Sequence, residues 1–195
     1  MYNDKPVRAR MRLGIPESLV MPAALVQVPI TAQYAGTLYT AHDVSGDRNW
    51  MTILASHGQG AAVVGGQGYP AQVRVHKITG EAVSEHDESW IDAKQVSSGQ
   101  GYVYVRSTQN FEDLPELRTA GFYSSFPDQG ETVSPLQTVE VTTAERQTKI
   151  LTPARVQALE QIGEEVEGVR DQRPQDVEWA EEAGGTLWVV QSRDM

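Results

Sequence analysis

The clearest pattern in the chain is the pair of alternating segments near its end, Pro174-Gln175-Asp176-Val177-Glu178-Trp179-Ala180 and Thr186-Leu187-Trp188-Val189-Val190-Gln191-Ser192-Arg193. Both carry Val, Trp, Leu or Thr, residues that suit a half-buried pleated surface, so they predict a β-hairpin. Gly184-Gly185 between them suits a tight two-residue turn. With that turn, Ala183 pairs with Thr186, Glu178 with Gln191 and Asp176 with Arg193. Directly opposed residues share a face, so two acids, an amide and a guanidinium form one polar patch. Trp179 and Trp188 then lie on the opposite, core-facing side. A slip of one residue would send Gln191 and Arg193 to the other face, which makes the patch depend on turn length.

Upstream, alternation and β-branched content predict strands over 23–28, 36–40, 51–55 and 72–77, with a turn at Asp43-Val44-Ser45-Gly46-Asp47-Arg48. The glycine-rich stretch 56–66 reads as a short helix or loop following a buried strand. Residues 1–16 are basic and turn-rich, with Arg8, Arg10 and Arg12 alternating. A strand edge, a solvated arm and a partner contact all fit this segment, and short charge runs are most often surface. From about Glu81 to Glu145 the chain is polar and carries Pro115, Pro127 and Pro135, with one distinct strand at 102–105. It is read as a variable insertion, 81–145, within a single lobe spanning 1–195. Thr152-Pro153 caps a helix in which Val156, Leu159, Ile162, Gly163 and Val166 recur at helical spacing to about Val169. Its outer face, with Glu160, Glu164 and Glu165, is expected in solvent.

Composition narrows the function classes. At 195 residues and 39% hydrophobic content the chain can bury a domain core. A net charge of −10 argues against a general nucleic-acid binder, which needs clustered Lys and Arg against phosphates. A nucleotide site, needing only a few local cations, is still allowed. Cysteine is absent, which removes disulfides, thiolate metal sites and a cysteine nucleophile, and fits a cytoplasmic location. Met1 to Leu13 lacks an apolar signal region, and the apolar run Leu19 to Ile30 is broken by Pro22 and Pro29, so no membrane span is expected. His42, His76 and His86 are scattered, and no metal-ligand spacing or Ser-His-Asp order occurs. Gly58-x-Gly60 alone is a weak phosphate-loop signal.

Three stretches together resemble the nucleotide-binding domain of the phosphoenolpyruvate synthase and pyruvate phosphate dikinase family. Pro174 to Ala180 and Val189-Val190-Gln191-Ser192-Arg193 resemble its Pro-Gln-Asp-Ile-Glu-Trp-Ala and Leu-Gln-Ser-Arg-Pro. Gly36-Thr37-Leu38-Tyr39-Thr40 with Ser45-Gly46-Asp47-Arg48 resembles its Gly-Val-Leu-Phe-Thr and Thr-Gly-Asp-Arg. Ala55-Ser56-His57-Gly58-Gln59-Gly60 resembles its Ala-Ser-Trp-Gly-Leu-Gly. The resemblance covers roughly residues 20–80 and 150–193, in the family's order.

This resemblance implies an α+β fold, an ATP-grasp-like second lobe of mostly antiparallel sheet with flanking helices. It further implies that ATP and Mg²⁺ are bound, with Glu178 ligating the metal, Asp176 supporting it, and Gln191 and Arg193 facing the phosphates. Arg193 is the expected catalytic cation. These residue types suit those roles, since Mg²⁺ prefers oxygen ligands and a guanidinium matches phosphate oxygens. A plain surface hairpin with cross-strand ion pairs is the competing structural account. Departures from the family pattern are Leu54 and Ala61 where it carries acids, and Asp194 where it carries proline. Nor is there a counterpart of the first lobe, with its Arg-Ser-Ser segment, or of the phosphohistidine domain; His57 lacks the leading glycines of the latter. The expectation is therefore an ATP-binding subunit or fragment of a dikinase-type phosphotransferase, completed by a partner chain, as in phenylphosphate synthase-like systems. The alternative is a non-catalytic interaction protein derived from such a lobe.

Overall fold

The computed structural model describes residues 4–16, 18, 22–27, 30–60, 63, 69–86, 89, 91–97, 104–109, 125–127 and 136–195. The chain divides into two compact units, Met1–Pro29 with Gly99–Pro135, and Ile30–Ser98 with Leu136–Met195. The first contains helix α1 (Asp4–Leu13) and an antiparallel sheet of β1 (Pro22–Gln27), β7 (Tyr104–Gln109) and β8 (Ser125–Pro127), in the order β1-β7-β8. Within the basic segment 1–16, read as a strand edge, a solvated arm or a partner contact, residues 4–13 form a helix that exposes Arg8 and Arg12 and buries Arg10. Residues 102 and 103 of the strand expected at 102–105 lie outside the described residues.

The second unit is built on a six-stranded antiparallel sheet, β11-β10-β2-β3-β4-β5. Its strands are β2 (Ala32–Tyr39), β3 (Trp50–His57), β4 (Ala71–His76), β5 (Ala82–His86), β10 (Gln175–Glu182) and β11 (Leu187–Asp194). A small sheet pairs β6 (Ala93–Ser97) with β9 (Leu136–Glu140), so the described residues of the interval 81–145 include five strands distributed over both units. Two helices follow, α2 (Thr143–Arg146) and α3 (Pro153–Val169). Mostly antiparallel sheet with few helices is consistent with the α+β, ATP-grasp-like lobe that the family resemblance implied. Among the described residues no helix is long and apolar enough to cross a membrane.

The strand period explains how the sheet acquires two unlike faces. One face carries Tyr34, Leu38, Met51, Ile53, Val73, Val75, Val177 and Trp179, which cluster with Ile150, Leu151, Val156 and Leu159. Helix α3 covers this face: Thr152 accepts from the Arg155 amide as N-cap and Pro153 opens the first turn. Gly163 sits where α3 presses on Leu38 and Met51. Glu164 and Glu165 are exposed as expected, whereas Glu160 is half-buried. Glu167, which the helical pattern had not marked, is buried and bonded to Lys77 at 2.6 Å.

The other face is polar and yet also largely shielded, with Thr37 6% and Thr52 and Ser56 0% exposed. Here the strand registers lay residues in rows. One row runs Arg193, Asp176, Tyr39, Thr52, Arg74, and the next runs Gln191, Glu178, Thr37, Leu54, Gln72.

Candidate functional site

The site is carried by the β10–β11 hairpin, and its turn differs from the expected two-residue form. Gly185 N–H donates to the Glu182 carbonyl at 2.8 Å, and Glu182 N–H donates to the Thr186 carbonyl at 3.1 Å. The loop is therefore Ala183-Gly184-Gly185, with Gly185 at φ 83° in the left-handed region that glycine accepts. This extra loop residue shifts the inner pairs to Trp179↔Val189 and Ala180↔Trp188. An irregularity beyond Glu178 then takes up one residue of β11, and the outer pairs Glu178↔Gln191 and Asp176↔Arg193 return to the expected register. Two departures cancel, so the polar patch survives a longer turn.

The same shift relocates Trp188. Paired with Ala180, it lies on the acidic face rather than with the core, 45% exposed, and its indole N–H donates to Glu182 at 3.1 Å. Trp179 stays in the core at 1% exposure.

At the outer end, Arg193 Nε and Nη2 both donate to Asp176 Oδ2, at 2.8 and 2.6 Å. The partly buried pair fixes the orientation of the guanidinium relative to Asp176. Burial alone would lower the Arg193 pKa, but Asp176 and then Glu178 outweigh it, and the group is held charged. Asp176 Oδ1 and Gln191 Oε1 are buried and have no hydrogen-bond partner among the described residues. Such atoms are costly unless something else meets them. Tyr39, directly across from Asp176 on β2, has its pKa raised by burial and by the Asp176 charge, so its phenol is a protonated donor at neutral pH.

Gln175 anchors this end. Its N–H donates to Thr40 Oγ1 at 2.7 Å, its carbonyl accepts from Thr40 N–H at 2.9 Å, and its side-chain amide donates to Asp194 Oδ1 at 2.8 Å. Asp194, in place of the proline of the resembled motif, also pairs with Arg170 at 3.4 Å and with Arg173. Those bonds, Gln175 first, hold its carboxyl below the usual range. The chain direction that presents Asp176 is therefore set by a fully buried amide.

The four residues Asp176, Glu178, Gln191 and Arg193 share one face, as the register requires. His57 does not join them. It ends β3 on the core side, 5% exposed, with Nε2 at 2.9 Å from the Glu145 carbonyl and its ring 5.4 Å from that of Tyr34. These contacts make it a structural imidazole, and burial lowers its pKa. Leu54 falls in the Glu178 row, between Thr37 and Gln72, while Ala61 lies outside the described residues. Tyr39, Thr37 and Gln175 were not singled out by sequence. Only the pairing of β2 with β10, distant in the chain, brings the first two beside the acids.

The family described as pyruvate phosphate dikinase, AMP/ATP-binding domain, matches residues 1–101 and 127–195. A phosphoenolpyruvate synthase of Pyrococcus furiosus is 27% identical over 185 residues, covering 94% of this chain and 19% of that protein. A phosphoenolpyruvate synthase of Pseudomonas aeruginosa is 26% identical over 196 residues, 99% of this chain and 22% of its own length. A rifampicin phosphotransferase of Bacillus subtilis is 25% identical over 193 residues, 99% of this chain and 18% of its own. The chain spans about a fifth of the length of these relatives.

Proposed function

This chain belongs to the pyruvate phosphate dikinase AMP/ATP-binding domain family, and from that premise we propose that its acidic sheet face binds Mg-ATP as the second lobe of a dikinase-type phosphotransferase. The observation that carries the reading is the Asp176/Arg193 pair beside Glu178 and Gln191, with buried oxygens of Asp176 and Gln191 left unmatched. Mg²⁺ commonly takes one or two carboxylates and completes its octahedron with water and phosphate oxygens. Among the described residues no three acidic, His or Cys side chains gather into a cage. Two carboxylates one strand repeat apart fit such a shared site. Glu178 and Asp176 Oδ1 would hold the metal, whose charge neutralises the phosphates when bound.

The chain's own residues then position rather than react. Arg193, a planar cation oriented by its two bonds to Asp176, presents N–H groups toward phosphate oxygens and absorbs charge that develops during transfer. Gln191 adds a neutral amide in the same row as Glu178. A first lobe and a phosphohistidine domain are needed to complete transfer, and we assign these to a partner chain; that further domains are needed is supported by the small share of the relatives' length that this chain spans.

Titration calorimetry of the full chain with Mg-ATP, alone and with its partner, tests the reading. Glu178→Gln is expected to weaken Mg-ATP by about ten-fold or more, because a charged contact becomes a neutral one. Equal affinity in wild type and variant, or no binding by wild type with its partner, would overturn it. One observation favours a second reading: Leu54 puts an apolar side chain in the Glu178 row. A non-catalytic interaction protein would retain its biological activity in Glu178→Gln.

A further inference from the structure

Resting on the Mg-ATP reading above, we infer that Tyr39 is a nucleotide-contacting residue of this site, its phenol O–H donating to a phosphate oxygen held by Arg193. The placement comes from the sheet. Asp176 is paired on one side with Arg193 and on the other with Tyr39, so the three side chains stand in one row on one face. Tyrosine is much longer than aspartate. Its phenol lies close enough to feel the charges of both Asp176 and Arg193.

The neighbours make this position selective. Beyond Tyr39 the row continues with Thr52, which is 0% exposed and whose hydroxyl donates to Asp43 Oδ1 at 3.0 Å. Thr40, next along the chain, is also 0% exposed and accepts from the Gln175 N–H. Both hydroxyls are occupied within the protein; Tyr39 is half-buried, keeps contact with the surface and has the Thr37 side chain beside its hydroxyl. Asp176 would repel a phosphate alone, but Arg193 covers Oδ2 with two N–H donors. A neutral O–H donor beside that pair adds attraction without adding charge. The resembled motif has phenylalanine at this place, so the ring meets the packing need and the hydroxyl is an addition.

The test compares Tyr39→Phe with wild type in the full chain, using Mg-ATP and Mg-pyrophosphate as probes and thermal unfolding as a check on the fold. Both Kd values are expected to rise about ten-fold, the effect of losing one hydrogen bond to a charged group, with the melting temperature unchanged. Unchanged Kd values overturn the assignment while leaving the Mg-ATP reading intact. A loss for Mg-ATP but not for Mg-pyrophosphate overturns it too, since the hydroxyl would then not be reaching phosphate. Failure of wild type to bind either probe, with its partner present as well as alone, overturns both.

Discussion

Gly36 is the position at which a single methyl group should do most damage to this sheet. It lies in β2, between Ala55 of β3 and Trp179 of β10. A Cβ there would stand 1.8 Å from the Leu54 carbonyl oxygen and 2.8 Å from its carbon. An ordinary C···O contact is about 3.3 Å, so Gly36→Ala must push β2 and β3 apart by roughly 1.5 Å. That displacement carries ladder bonds beyond hydrogen-bond distance. Overpacking costs about 1–3 kcal/mol, and two lost ladder bonds at about 1 kcal/mol each bring the expected loss to about 3–5 kcal/mol. Gly163→Ala is the control, because its Cβ meets Leu38 Cδ2 at 3.1 Å and Met51 Sδ at 3.1 Å, both ends of side chains. Those can yield, and alanine gains about 1 kcal/mol of helix propensity, so the net change should stay within about 1 kcal/mol. Urea unfolding followed by tryptophan emission suits the measurement, since Trp179 is in this core. A Gly36→Ala protein within about 1 kcal/mol of wild type, or a Gly163→Ala protein equally damaged, would refute the reasoning.

Two further outcomes concern ion pairs that fasten loops and helices to the sheet. Lys77 and Glu167 are 15% and 8% exposed and 2.6 Å apart, so Lys77→Met strands a buried carboxylate and should cost about 3–5 kcal/mol; Lys77→Met/Glu167→Leu should recover most of this in the same unfolding assay. Glu145 is held down to about 2 by Lys94 and then by the Thr142 backbone amide. Its folded pKa lies below the unfolded 4.5, so the unfolded chain takes up the proton first, and stability present above that value is lost as pH falls toward about 2. Glu145→Gln, which preserves the capping box with Thr142, should show a shallower acid limb in melting temperature between pH 5 and about 2.

What the sequence determined by itself was local. Alternating Val, Trp and Leu around a glycine pair is sufficient for a hairpin, and Thr152-Pro153 with apolar residues at helical spacing is sufficient for α3. Both signals sit within a few residues of the structure they describe, where propensity and side-chain period act directly. Tertiary structure decided what depends on distant partners. The three-residue turn and the compensating bulge have no local signature beyond Gly184-Gly185, and between them they carried Trp188 to the acidic face while leaving Arg193 opposite Asp176. The helix over Asp4–Leu13 escaped a reading based on charge alone. Tyr39 stands beside Asp176 only because β10 hydrogen-bonds to β2 across most of the chain. That pairing is selected by burial of Leu38, Val177 and Trp179 under α3, a many-body fit that no short window of residues contains.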